Sequence, residues 1–161
     1  MLSTRLEQML NDQIAHELLN SKKYRVICAW LRKEGYEGLA SYFSKWSKEE
    51  LDHADWVQDY LMNRNACVDI PETDAVEMSF KSVLEIAEYV MDTEVETTRL
   101  LYQIMEASKM ENDYMTCDFI QTKMIHEQVE EEDKAQTLLD LAIKAKDNVA
   151  ALLMIDEKYE D

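Results

Sequence analysis

The chain has 161 residues with only two glycines and one proline, and its apolar and charged fractions are 47% and 32%; this is one domain of long helices, not sheet or disorder. A net charge of −17 argues against nucleic acid or an anionic membrane as partner and suits the attraction of cations. No apolar run approaches about 18 residues and the N-terminus has no signal-peptide pattern, so a cytoplasmic protein without a membrane span is expected.

A first helix is predicted from about Ser3 to Lys33. Its inward stripe, taken at alternating spacings of four and three, is Leu6, Leu10, Gln13, Glu17, Asn20, Tyr24, Ile27 and Leu31: apolar at both ends, polar in the middle. Gly35 and Gly38 bracket a turn. A second helix, about Gly38 to Asn63, repeats the pattern with Leu39, Phe43, Trp46, Glu50, His53, Val57 and Tyr60. Asn65 to about Ser79 carries Pro71, has no clear period and reads as a long connection. Ser82 and Glu85 form a capping box that opens a third helix ending near Met110, with Phe80, Leu84, Ala87, Met91, Glu94, Thr98, Leu101 and Met105 on its stripe. Asn112 and Asp113 turn the chain into a fourth helix, about Tyr114 to Lys146, with Cys117, Gln121, Met124, Gln128, Glu131, Ala135, Leu138 and Ala142 facing in. Asp147 and Asn148 break it, and a short apolar helix is expected over 149–159. The expected architecture is a single all-α domain over 1–161: a four-helix bundle over 3–146 and a short fifth helix.

Counting tests whether the polar positions meet. Glu17 lies 19 residues before Tyr36 and His53 17 after it, while Glu94 lies 17 before Glu111 and Gln128 17 after it, so each hairpin brings its polar positions to nearly one height. Glu50 is 12 residues past Gly38 and Glu94 is 12 past Ser82, which matches if helices two and three are parallel. The connection must then travel the bundle's length; roughly 16 extended residues span ~50 Å, enough for a ~26-residue helix of ~39 Å.

Glu17, Glu50, His53, Glu94, Gln128 and Glu131 therefore face one another mid-bundle. Buried carboxylates cost several kcal/mol each unless paired, and neither Arg nor Lys occupies a stripe position. A multivalent cation is the economical partner. Oxygen-rich ligands with one imidazole suit iron better than zinc and leave room for two metals bridged by a carboxylate. His16 and His126 read as surface residues or ambiguous neighbours, Glu49, Asp52 and Asp55 as an outer face or an acidic inner wall, and the methionines as core filling. Cys28, Cys67 and Cys117 read as reduced thiols with no zinc spacing.

With these positions the chain resembles the ferritin family, closest to bacterial non-heme ferritins, over its whole length. The resemblance implies a ferroxidase centre for two irons, with Glu17, Glu50 and His53 on the first, Glu50 bridging, Glu94 and Glu131 on the second and Gln128 nearby. It implies a third iron site at Glu49, Glu127 and Glu130, and a role for Tyr24 beside the centre. Gln128 and Glu131 stand where bacterioferritin and rubrerythrin place a second Glu-x-x-His pair, so the centre is asymmetric; no Cys-x-x-Cys module and no haem are expected. Lys123 stands near the place of an aromatic often found in the family. The function so implied is iron storage: Fe(II) is oxidised by O₂ or peroxide and kept as Fe(III) mineral in a hollow shell of 24 subunits. The alternatives are a small di-iron oxidase or peroxidase without storage, and a metal-free acidic helical assembly. The apolar run Val149–Ile155, too apolar for a free chain end, favours a shell.

Overall fold

The computed structural model describes residues 1–76 and 79–160; Glu77 and Met78 of the expected connection, and Asp161 of the tail, lie outside the described residues. The elements are α1 (Thr4–Lys33), α2 (Glu37–Asn63), α3 (Val83–Met110), α4 (Tyr114–Phe119), a π-helical segment (Ile120–Ile125), α5 (His126–Ala145) and α6 (Val149–Lys158), with no strand among the described residues.

Local chemistry sets the ends. Ser3, Ser82, Asp113 and Asn148 each accept a hydrogen bond from a first-turn backbone N–H of the following helix. The Glu85 carboxylate reaches back to the Lys81 N–H at 2.6 Å, which closes the capping box one residue earlier than the standard pattern. Three helices stop the same way. Gly35, Asn65 and Asn112 adopt positive φ, and the next residue's N–H returns to a carbonyl five residues back: Tyr36 to Leu31, Ala66 to Leu61, Asp113 to Ser108.

α1 and α2 form one antiparallel hairpin; α3 and the rod made of α4, the π segment and α5 form the other. The connection after α2 runs back along α1. Asp69 N–H bonds Asn11, Thr73 accepts from Lys22, and the Phe80 carbonyl accepts from Trp30. α3 therefore starts beside the start of α2 and runs parallel to it. The core divides accordingly. One apolar cluster holds Tyr24, Phe43, Trp46, Ile86 and Leu138 at one end; another holds Leu10, Val57, Leu61, Leu101 and Ile120 at the other. Between them lies a buried polar waist: Gln13, Glu17, Asn20, Glu50, His53, Glu94, Gln128 and Glu131.

On α2 the expected stripe holds to Val57, but Leu61 is buried in place of the expected Tyr60, which is half-buried. Two further stripes differ more widely. On α3, Ala87, Glu94 and Leu101 are buried as expected, but their partners are Val90, Thr97 and Ile104, three residues on, whereas Met91, Thr98 and Met105 are only half-buried. The helix is rotated so that Thr97 meets Asn20 and His16 on α1. On the fourth rod, Gln128 to Ala142 face in as expected, but ahead of them Thr116 and Ile120 are buried in place of Cys117 and Gln121. The π turn is the reason: its wider winding spaces the inward positions Thr116, Ile120, Met124 and Gln128 by four residues throughout.

α6 also differs. Leu152 and Ile155 bury into the subunit's own core, at 5% and 9% exposed, while Val149, Leu153 and Met154 stay 63%, 50% and 73% exposed. The expectation that the segment buries away from its own, already filled, bundle therefore holds only for its outward face. Asp156 on α6 accepts the Leu39 N–H at 2.8 Å. Gly38 permits the approach, since a Cβ there would lie 2.1 Å from the Asp156 carbonyl oxygen.

Candidate metal centre

The residues of the waist come from all four rods: Gln13, Glu17 and Asn20 from α1, Glu50 and His53 from α2, Glu94 from α3, and Gln128 and Glu131 from α5. Glu50 and His53 stand one turn apart on α2, and His53 Nδ1 approaches Glu50 Oε1 at 3.6 Å and Glu17 Oε2 of α1 at 3.9 Å. Both distances are too long for hydrogen bonds. Gln13 donates to the other Glu17 oxygen at 2.7 Å. On α3, Glu94 accepts a short hydrogen bond from the Tyr24 hydroxyl on Oε1 and one from Gln128 at 2.7 Å on Oε2. On α5, Glu131 Oε1 accepts from Lys134 at 3.0 Å, and the same ammonium reaches Glu49 Oε2 at 2.7 Å.

Three groups bring ligand atoms within 4.8 Å of one another among the described residues: Glu17, Glu50 and His53; Glu50, Glu94 and Glu131; and His53, Glu127 and Glu131. The first two share Glu50, so one carboxylate can bridge two ions. Glu17 Oε2, both Glu50 oxygens and Glu131 Oε2 are buried and have no hydrogen-bond partner. Buried polar atoms are almost always satisfied, so four orphaned carboxylate oxygens converging on one volume fit a cation. The donor set of hard oxygens and one imidazole fits iron.

The electrostatics fit as well. Burial pushes Glu17, Glu94 and Glu131 up to about 7, against hydrogen bonds that pull each of them down. Glu50 is raised by burial and then by the charges of Glu17 and Glu94. Burial, with the nearby charges of Lys134 and Lys123, lowers His53 to about 4 and keeps the imidazole neutral, the form that binds metals. Burial raises the Tyr24 phenol well above its ordinary range, and the charges of Glu94 and Glu50 add to this.

Of the residues expected for a third iron, Glu127 joins His53 and Glu131, Glu49 is ion-paired to Lys134, and Glu130 is exposed and in none of the three groups. Asp52, Asp55 and His126 are exposed. His16 corrects the expectation of a surface residue: its Nε2 lies 2.7 Å from Thr97 Oγ1, and burial lowers its pKa to about 4. Three further residues escaped the sequence reading. Lys134 sits three after Glu131, a helical ion-pair spacing that was visible. Trp56 sits three after His53, with ring centroids 5.0 Å apart, and Lys123 Nζ lies 3.9 Å from the Trp56 ring centroid. Asp156 gave no signal, because its partner is a backbone N–H 117 residues away.

The Ferritin family, described as a ferritin-like domain, matches residues 7–145. A bacterial non-heme ferritin of Staphylococcus aureus is 32% identical over 158 residues, covering 98% of this chain and 95% of its own. One from Bacteroides fragilis is 31% identical, covering 98% of both chains. Among solved structures, an open-pore ferritin of the hyperthermophilic archaeon Archaeoglobus fulgidus superposes with a TM-score of 0.95 at 26% identity, over 99% of this chain and 98% of its own. A form of that protein engineered to be closed gives 0.94 at 26% identity, over 99% and 96%.

Proposed function

The chain belongs to the ferritin family, and on that premise we propose that it stores iron in the cytoplasm, oxidising Fe(II) at the waist and keeping Fe(III) as mineral inside a shell of 24 subunits. The carrying observation is the set of orphaned oxygens on Glu17, Glu50 and Glu131. Iron is the substrate. Glu17 and His53 hold one Fe(II), Glu94 and Glu131 the other, and Glu50 bridges them. Gln13 orients Glu17, and Gln128 and Tyr24 orient Glu94; such hydrogen bonds tune affinity and geometry. Binding displaces the protons that the raised carboxyls hold near neutrality. Each Fe(II) gives up one electron, and the pair reduces O₂ to peroxide or peroxide to water. The neutral imidazole of His53 needs no deprotonation, and the burial of the waist limits side reactions.

The outward apolar face of α6 supports the shell over a small di-iron oxidase without storage. Val149, Leu153 and Met154 lie free on one subunit, and burying such side chains at ~25 cal/mol per Å² stabilises a closed symmetric cluster. The test is aerobic Fe(II) addition to wild type and Glu50→Ala, followed by optical absorbance and light scattering. Wild type is expected to oxidise Fe(II) as a large particle, and Glu50→Ala to lose most of the initial rate. Wild-type oxidation in Glu50→Ala would sink the site assignment. A monomer or dimer would promote the small oxidase.

A further inference from the structure

The waist holds many carboxylates, yet one cation already touches them. Lys134 Nζ lies 2.7 Å from Glu49 Oε2 on α2 and 3.0 Å from Glu131 Oε1 on α5. Its Nζ also lies 5.7 Å from the Trp46 ring centroid. An ammonium between carboxylates of two helices neutralises and bridges them, as a bound divalent ion does; lysine is a compact point charge with three donors. The two Glu131 oxygens differ. Oε1 is taken by Lys134, while Oε2 is buried without a partner and is free for a metal shared with Glu50 and Glu94. Lys134 thus occupies the outer side of Glu131 and leaves the inner side open.

Resting on the metal reading above, we propose that Lys134 is a tethered cation filling the third cation position of the centre: it holds Glu49 and the outer oxygen of Glu131, and so confines divalent ions to the two positions that share Glu50. The carboxylates expected to bind a third iron are thereby divided. Glu49 is neutralised by Lys134, Glu127 faces the His53 side, and Glu130 points to solvent. Lys134 acts as a positioning and specificity residue. It touches no position reserved for the two substrate ions, but it sets how many ions the cluster accepts.

The experiment is equilibrium dialysis of the assembled, iron-stripped protein against Zn²⁺, a redox-inert probe, with metal counted per subunit. Wild type is expected to bind about two zinc ions, the complement of a dinuclear carboxylate centre. Lys134→Met is expected to bind a further, weaker equivalent, lost again in Lys134→Met with Glu49→Gln. Lys134→Arg keeps the charge and is expected to match wild type. Should Lys134→Met fail to assemble, Lys134→Gln removes the charge while keeping a donor, and the same gain is expected. An unchanged zinc count in the uncharged variants overturns the inference and leaves Lys134 an ordinary ion pair. A third zinc in wild type overturns it too. Wild type that binds no zinc overturns the metal reading itself, and the inference with it.

Discussion

The apolar ends of the bundle and its waist are built on the same four rods but by opposite rules. At the ends, Leu6, Leu31, Phe43, Ile86, Leu101 and Leu138 fill space between helices, and their burial drives folding. At the waist, carboxylates lose water without gaining enough donors, and four oxygens remain unpartnered. Replacing a buried ionic cluster with apolar side chains often stabilises a protein. A waist that the metal-free fold would be better without fits the proposed metal centre. Under that proposal, the stretch that works against metal-free stability is the one that carries function.

The widest split between the regions is expected on substitution. Phe43→Ala, in the packed end, removes a fully buried ring that lies 5.7 Å from Tyr24 and 5.4 Å from Trp46; it should cost about 3–5 kcal/mol and leave metal binding at the waist intact. Glu50→Leu should do the reverse, stabilising the metal-free protein by about 1–4 kcal/mol and abolishing paired metal binding. Calorimetry of both variants, metal-free and with Zn²⁺, checks this. If Glu50→Leu loses stability without metal, the two regions do not follow opposite rules.

Acid should sharpen the contrast next. A carboxyl raised from 4.5 to about 7 holds its proton in the folded state after the unfolded chain has released it. The stability this confers is complete below about 4.5 and is lost as pH rises through 7. His16 and His53, lowered from 6.5 to about 4, act oppositely: their stability is present above 6.5 and lost as pH falls through 4. Between 4.5 and 6.5 the carboxyls of Glu17, Glu94, Glu131 and the likewise raised Glu50 outnumber the two imidazoles; between 6.5 and 7 they act unopposed. The metal-free melting temperature should therefore fall from pH 5 to pH 7.5, and saturating Zn²⁺, whose ligands must be deprotonated, should reverse the slope. A flat or rising metal-free profile would mean that the waist carboxyls are not held protonated.

The difference between the regions also decided what could be read from the sequence. The α1 stripe was fully legible, because apolar and polar residues alternate along it at one helical period and all eight positions are buried. Glu17, Glu50, His53, Glu94, Gln128 and Glu131 were legible as one group because nearly equal counts from the turns fix their height. Rotation about a helix axis was not. Val90 and Met91 are equally apolar, and a polar contact from Thr97 to α1, not hydrophobicity, turned α3. The π turn was hidden because it changes the period itself. Lys134 was not legible because it lies off the stripe, and only its flexible end reaches Glu131 and Glu49. Leu152 was grouped with its exposed neighbours, since a short apolar helix does not declare which face its own bundle covers.

The mildest perturbation lies at the border of the two regions. Tyr24 belongs to the aromatic packing of one end, 4.9 Å from the Trp46 ring, yet its hydroxyl donates to Glu94 at the waist. Tyr24→Phe keeps the ring and removes only that donor. Glu94 retains Gln128 on its other oxygen, so two-metal binding should persist. The freed Oε1 would be less precisely aimed, and loss of such a ligand-orienting hydrogen bond typically costs 10-fold or more in affinity or activity. Because one donor remains, the expected slowing of Fe(II) oxidation is at most about tenfold. A second effect is separable from it. The buried phenol sits one heptad from Glu17; if it takes part in the oxidation, as the family resemblance implies, Tyr24→Phe should also change the course of the absorbance trace, not only its rate. Stopped-flow oxidation at limiting Fe(II), paired with a zinc count, reads both. A trace identical to wild type would reduce Tyr24 to a core aromatic, and the border of the waist would then run between Tyr24 and Glu94.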